Sequence, residues 1–214
     1  SNRDQDVTTT AGAVRAIWEF KPTLFAFVET GLDGREHKAP AASDGILRNS
    51  TGERYRAGIS FGNTGAYLRG EFSLGYGRQT PDDSRLGRID GLLVDANVAW
   101  RLTALTSLLF TAATDFNENT VAGSAGAISY LAGVEVQHSL RRNLVASVGI
   151  SRSVQKYEGI SLTEGDWTAT AGLEYLINRN VSLFGRYRHI AFRSDEAERD
   201  YDADEIRIGL RLRR

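Results

Sequence analysis

Runs of two-residue periodicity fill this chain, and the segments between them alternate between tight and long. The tight ones are Lys21-Pro22-Thr23, Gly62-Asn63-Thr64-Gly65, Leu102 to Leu105, Ser139 to Asn143 and Ile177 to Asn180. The long polar ones are Gly34–Thr51, Gln79–Ile89, Asn117–Ala127, Glu158–Asp166 and Ala191–Ala203. Strands that reverse direction at each connection then carry every tight turn at one end and every long loop at the other. A soluble sandwich has no reason for that segregation. A transmembrane barrel does, because its periplasmic turns are short and its outer loops long. The spacing predicts an all-β fold, an antiparallel up-and-down transmembrane β-barrel. Its eleven strands are expected at 8–20, 23–33, 53–62, 65–78, 89–101, 106–116, 128–139, 143–157, 166–177, 180–190 and 204–213.

Composition narrows the alternatives. Mean hydropathy is −0.31, and no window approaches the ~18–20 apolar residues a spanning helix needs, so membrane insertion must be by strands. The 26 basic and 27 acidic residues are interspersed and nearly cancel, which argues against nucleic acid as a partner. Cysteine is absent, excluding disulfides and thiolate metal sites.

Each strand divides into two faces because side chains alternate across it. One face is apolar or small, for example Val14, Ala16, Trp18, Phe20; Tyr55, Ala57, Ile59, Phe61; Val94, Ala96, Val98, Trp100; and Ile206, Ile208, Leu210, Leu212. The other is charged. Alternation alone leaves two readings open: an apolar face buried between two sheets, or one turned to lipid around a polar lumen. Aromatic placement favours the second. Trp18, Phe20, Phe61, Trp100 and Tyr175 are the last outward residues before tight turns, where an interfacial girdle would stand. A second, less regular girdle is expected from Tyr76, Phe116, Tyr157 and Tyr187. The expected pore lining is Arg54, Arg56, Arg69, Glu71, Asp95, Glu135, Glu174, Arg186 and Arg188, which would set field and hydration without doing chemistry. Their balance of sign predicts weak ion selectivity. With tight turns periplasmic, the first and last strands both run downward. Bacterial single-chain barrels have even strand numbers, so the 1–214 domain is expected to be the C-terminal portion of a longer barrel.

Several stretches carry a family resemblance. Gly91-Leu92-Leu93-Val94-Asp95-Ala96-Asn97-Val98-Ala99-Trp100, His138-Ser139-Leu140-Arg141-Arg142-Asn143-Leu144 and Tyr175-Leu176-Ile177-Asn178-Arg179-Asn180 resemble the putative β-barrel porin family of proteobacteria. So does Lys156-Tyr157-Glu158-Gly159-Ile160. The resemblance implies a barrel in the bacterial outer membrane, associated with exopolysaccharide export and contacting lipid and lipopolysaccharide. It also implies a periplasmic export partner, and neither cofactor nor catalytic residue.

Two chemical alternatives lie near the outer rim. His189 with Ser194 and Asp195 could make a lipid hydrolase, with His as base. The acids Asp195, Glu196, Glu198, Asp200, Asp202, Asp204 and Glu205 offer hard oxygen ligands for calcium or magnesium. Arg193 and Arg199 interrupt that run, and a solvated loop without bound metal is the expectation. A further alternative is a structural or adhesive barrel that binds partners through its outer loops.

Overall fold

The computed structural model describes residues 6–41, 44–117, 121 and 123–212. Eleven strands follow one another: β1 (Val7–Lys21), β2 (Leu24–His37), β3 (Ser50–Phe61), β4 (Leu68–Pro81), β5 (Ile89–Arg101), β6 (Thr106–Asn117), β7 (Gly126–Arg141), β8 (Leu144–Glu158), β9 (Thr163–Leu176), β10 (Val181–Ser194) and β11 (Tyr201–Leu212). They form one antiparallel sheet in sequence order, each strand paired with its chain neighbours. Among the described residues β1 pairs only with β2 and β11 only with β10. Each therefore presents one unpaired edge, and both strands run toward the tight-turn end. No helix among the described residues is long and apolar enough to cross a membrane.

The strands outrun their sequence-based limits at the long-loop end. β2 continues to His37, β9 begins at Thr163, β10 reaches Ser194 and β11 begins at Tyr201. The connection expected over Glu158–Asp166 thus shrinks to residues 159–162, and the last one to 195–200 with a 3₁₀ turn at Ala197–Arg199. Polar residues there continue the backbone ladder, as in Arg193↔Gly165 and Ser194↔Glu164. Apolar alternation marks only the part of a strand whose outer face avoids water, so a solvated extension looks like loop. At the other end, the connection at residues 62–67 is longer than expected because β4 starts at Leu68.

Side-chain contacts across non-adjacent strands reveal the curvature. Arg15 of β1 reaches Glu71 of β4 at 3.1 Å, and Arg54 of β3 reaches Asp115 of β6 at 3.6 Å. Three strand spacings amount to about 14 Å on a flat sheet, too far for side chains standing perpendicular to it. The sheet is therefore rolled, with the charged face concave. The apolar face is convex and largely uncovered: Val148 is 62% exposed and Ile206 75%. In a sandwich these would be the most buried side chains. Only a non-aqueous surround suits a continuous apolar surface of this extent.

What buried core there is lies inside the roll at the long-loop end. Ile89, Leu93, Phe116 and Ile128 cluster there, with Ala125 and Tyr130 packed against them. Alternation assigns Ile89 and Leu93 to the charged face but Phe116 and Ile128 to the apolar one. They meet because β5 and β6 pair only from Ala96↔Ala112 to Arg101↔Ser107. Beyond that point Thr114 Oγ1 takes the Val94 amide at 3.1 Å, and the upper β6–β7 hairpin turns its convex face onto the concave face of β4 and β5. Phe116, only 2% exposed, is therefore no part of a second girdle. Gly77 makes room for it, since a Cβ there would lie 2.5 Å from the Phe116 ring.

Candidate functional site

The concave wall has two distinct halves. Across β1–β6 the charges form a connected network. Arg15 donates to Glu29 at 2.7 Å and to Glu71 at 3.1 Å, and its guanidinium stacks 4.0 Å from the Phe27 ring centroid. Arg56 lies 3.3 Å from Asp95 and 3.9 Å from Glu29. Arg54 spans Asp33 at 3.7 Å and Asp115 at 3.6 Å, and Arg35 reaches Asp33 at 3.2 Å. The register explains this order: Arg15↔Glu29 and Glu29↔Arg56 are directly opposed, so opposite charges face each other along a row across the strands. Apart from the buried Asp33, these groups remain partly solvated, so their pairing avoids the desolvation cost of a dry interior.

Of the expected lining residues, Arg54, Arg56, Glu71 and Asp95 belong to this network. Arg69 stands near the tight-turn end and donates to the Thr64 carbonyl at 3.1 Å. The other half, β7–β11, holds the rest. Glu135 accepts from Gln137 Nε2 at 2.6 Å. Glu174 accepts from Ser182 Oγ at 2.6 Å and from Arg211 at 3.0 Å. Arg186 and Arg188 line a basin of about 420 Å³ with Glu205 and Arg207. The expected lining omitted Arg15, Glu29, Asp33, Arg35, Asp115, Glu205 and Arg207, although the alternation along β2 carries directly from Glu29 to Asp33 and Arg35.

Trp18, Phe20, Trp100 and Tyr175 stand exposed on the convex face beside the tight connections, and Phe61 is half-buried there. A register shift between Glu19 and Lys21 marks the tight turn that leaves Phe20 exposed, and a shift between Ser139 and Arg141 does the same for Leu140.

The long-loop end is partly capped. Arg48, 6% exposed, donates to the Ser124 carbonyl at 2.5 Å, the Val121 carbonyl at 3.3 Å and Asp44 at 2.7 Å. It ties the 38–49 connection to the segment before β7. In the 82–88 connection, Arg85 side-chain and backbone N–H groups both donate to Asp83 and hold its carboxyl down at about 2.

The rim residues assemble differently from either chemical alternative. His189 Nδ1 lies 2.9 Å from Asp204, which also accepts from Tyr187 at 2.6 Å. Ser194 is five positions along the same strand, so its side chain leaves the opposite face; its amide donates to Asp200. Of the acids, Asp195 caps the Thr163 amide, Asp202 pairs with Arg193 and Glu196 with Arg199. Among the described residues no three metal-ligating side chains converge.

No curated protein matches the chain. Among solved structures, one similar chain is OmpT of Vibrio cholerae, an outer membrane protein folded in vitro and in trimer form. It shares 10% identity over 96% of this chain and 82% of that one, with a TM-score of 0.49. A model of the family described as putative beta-barrel porin 2 matches residues 1–214. The chain belongs to that family, as a membrane-embedded β-barrel protein.

Proposed function

We propose that this protein is a passive polar conduit in the bacterial outer membrane, serving the export or passage of a polysaccharide or other hydrophilic solute. One observation carries the reading: charges line the concave face in solvated pairs while the apolar face is convex and bare. Lipid and lipopolysaccharide cover the convex face, with the aromatic side chains beside the tight turns at the periplasmic headgroups. A periplasmic export component meets the tight-turn end. The role requires no catalytic step, cofactor or metal. A wall of eleven strands at ~4.8 Å spacing and ~40° tilt corresponds to a closed cylinder about 22 Å across between backbones. That is too wide for side chains alone to fill, and the inturned β6–β7 hairpin narrows only one sector.

Planar-bilayer recording tests the reading. Large, steady openings are expected. A silent bilayer containing verifiably folded and inserted protein would refute an open conduit. It would favour the second reading, an adhesive or structural barrel, to which the tie that Arg48 makes between two outer segments lends a specific feature.

A further inference from the structure

The overall balance of charge hides an uneven distribution on the concave wall. In the β1–β6 half, each arginine of the network has carboxylates beside it. In the β7–β11 half the basin floor is made of small residues, among them Gly133, Gly149 and Thr170, and three arginines stand at its side. Arg186 and Arg207 are directly opposed across β10 and β11. Directly opposed positions bring side-chain bases to about 5 Å, and like charges there are destabilising. Glu205 serves both neighbours, at 2.5 Å from Arg207 and 3.7 Å from Arg188. Of the other nearby acids, Glu174 is held by Ser182 and Arg211, while Glu135 lines the basin as well, accepts from the neutral Gln137 amide, and stands opposite Leu109 and Gly149 rather than either arginine. Among the described residues Arg186 has no hydrogen-bond or ion-pair partner.

From this geometry we infer that Arg186, Arg188 and Arg207 form an oxyanion site on the inner wall, taking a carboxylate or phosphate group. The guanidinium forks present paired N–H donors in the plane that such groups accept. An oxyanion between Arg186 and Arg207 removes the like-charge repulsion that the register builds in. The Thr170 and Ser151 hydroxyls on the floor offer hydrogen bonds to the neighbouring hydroxyls of a sugar chain. The glycines keep the floor low enough for a chain to lie across it. The site rests on the conduit reading only for access to the concave face, and it makes the wall locally selective although its charges nearly cancel overall.

Isothermal titration calorimetry on the protein in lipid nanodiscs, at about 0.15 M ionic strength so that charges outside the basin are screened, tests the site without any current being passed. The probes are tetragalacturonate, uncharged maltotetraose and inorganic phosphate. Tetragalacturonate is expected to bind, and Arg186→Gln to weaken it about tenfold, as loss of a charge-assisted hydrogen bond does. Arg69→Gln removes the same charge from the same face outside the basin and should change affinity less than about twofold. Phosphate binding as tightly as the tetramer would identify a free oxyanion as the ligand; much weaker phosphate binding would identify a chain-borne uronate. The inference is overturned if neither anion binds, if maltotetraose binds equally well, or if both variants weaken binding alike. Binding with a silent bilayer would sink the conduit and keep the site, and open channels without binding would do the reverse.

Discussion

Placing an arginine at Val148 separates a lipid-facing surface from a merely exposed one. Val148 lies on the convex face four residues above Leu144, which pairs with Tyr175 beside the tight turn. Four residues at ~3.3 Å rise and ~40° tilt put it about 10 Å above that level, near the middle of an apolar band ~25 Å tall. Val148→Arg is then expected to destabilise the protein by about 2–4 kcal/mol, against about 0–1 kcal/mol for Leu144→Arg near the interface. Ser147→Arg, one residue away on the concave face, should cost little because its head remains in water. Reversible denaturant unfolding from phospholipid vesicles would measure all three. Equal costs at 144 and 148, or a Val148→Arg cost under about 0.5 kcal/mol, would refute a lipid-facing convex surface, because depth in hydrocarbon is what the difference measures.

Further perturbations probe the inner parts. Phe116→Ala should cost about 3–5 kcal/mol in the same unfolding assay, because it empties the inturned cluster; a cost under 1 kcal/mol would show that the hairpin does not pack there. Gly77→Val should destabilise by about 1–3 kcal/mol through overpacking against Phe116, and Phe116→Ala in the same chain should relieve most of that penalty. Arg48→Met removes the tie between the 38–49 connection and the segment before β7, so limited proteolysis should begin to cut within that connection while the strands stay resistant. Asp83, held near 2 in the folded loop against 3.8 ordinarily, binds its proton more weakly folded than unfolded. Its contribution is present above pH ~4 and is lost as pH falls toward 2; carboxyl-resolved NMR titration should find its midpoint there, and Arg85→Ala should return it toward 3.8.

The architecture was legible because alternation, turn position and aromatic placement all follow one surface pattern. Val14 to Phe20 and Ile206 to Leu212 show their outward faces residue by residue. Which charges meet across the lumen was not legible, since Arg15 meeting Glu71 depends on how tightly the sheet rolls. Alternation also misplaced Phe116: its period continues unbroken through β6, while the hairpin as a whole rotates once Thr114 replaces backbone pairing to β5. His189 and Ser194 look like neighbours in sequence, yet five positions on a strand send their side chains to opposite faces. The opposition of Arg186 and Arg207 required the register between the last two strands, which no turn motif spells out.

The sequential strand order also bears on how such walls change size. Every strand takes its hydrogen-bond partners from its chain neighbours, so one hairpin could be duplicated or deleted without rethreading any other. The remaining ladders would keep their registers, and the circumference would change by two strands at a time. Bore width is thus a modular property of this fold, adjustable by recombination at the connections between hairpins and largely independent of the charges that decorate the wall.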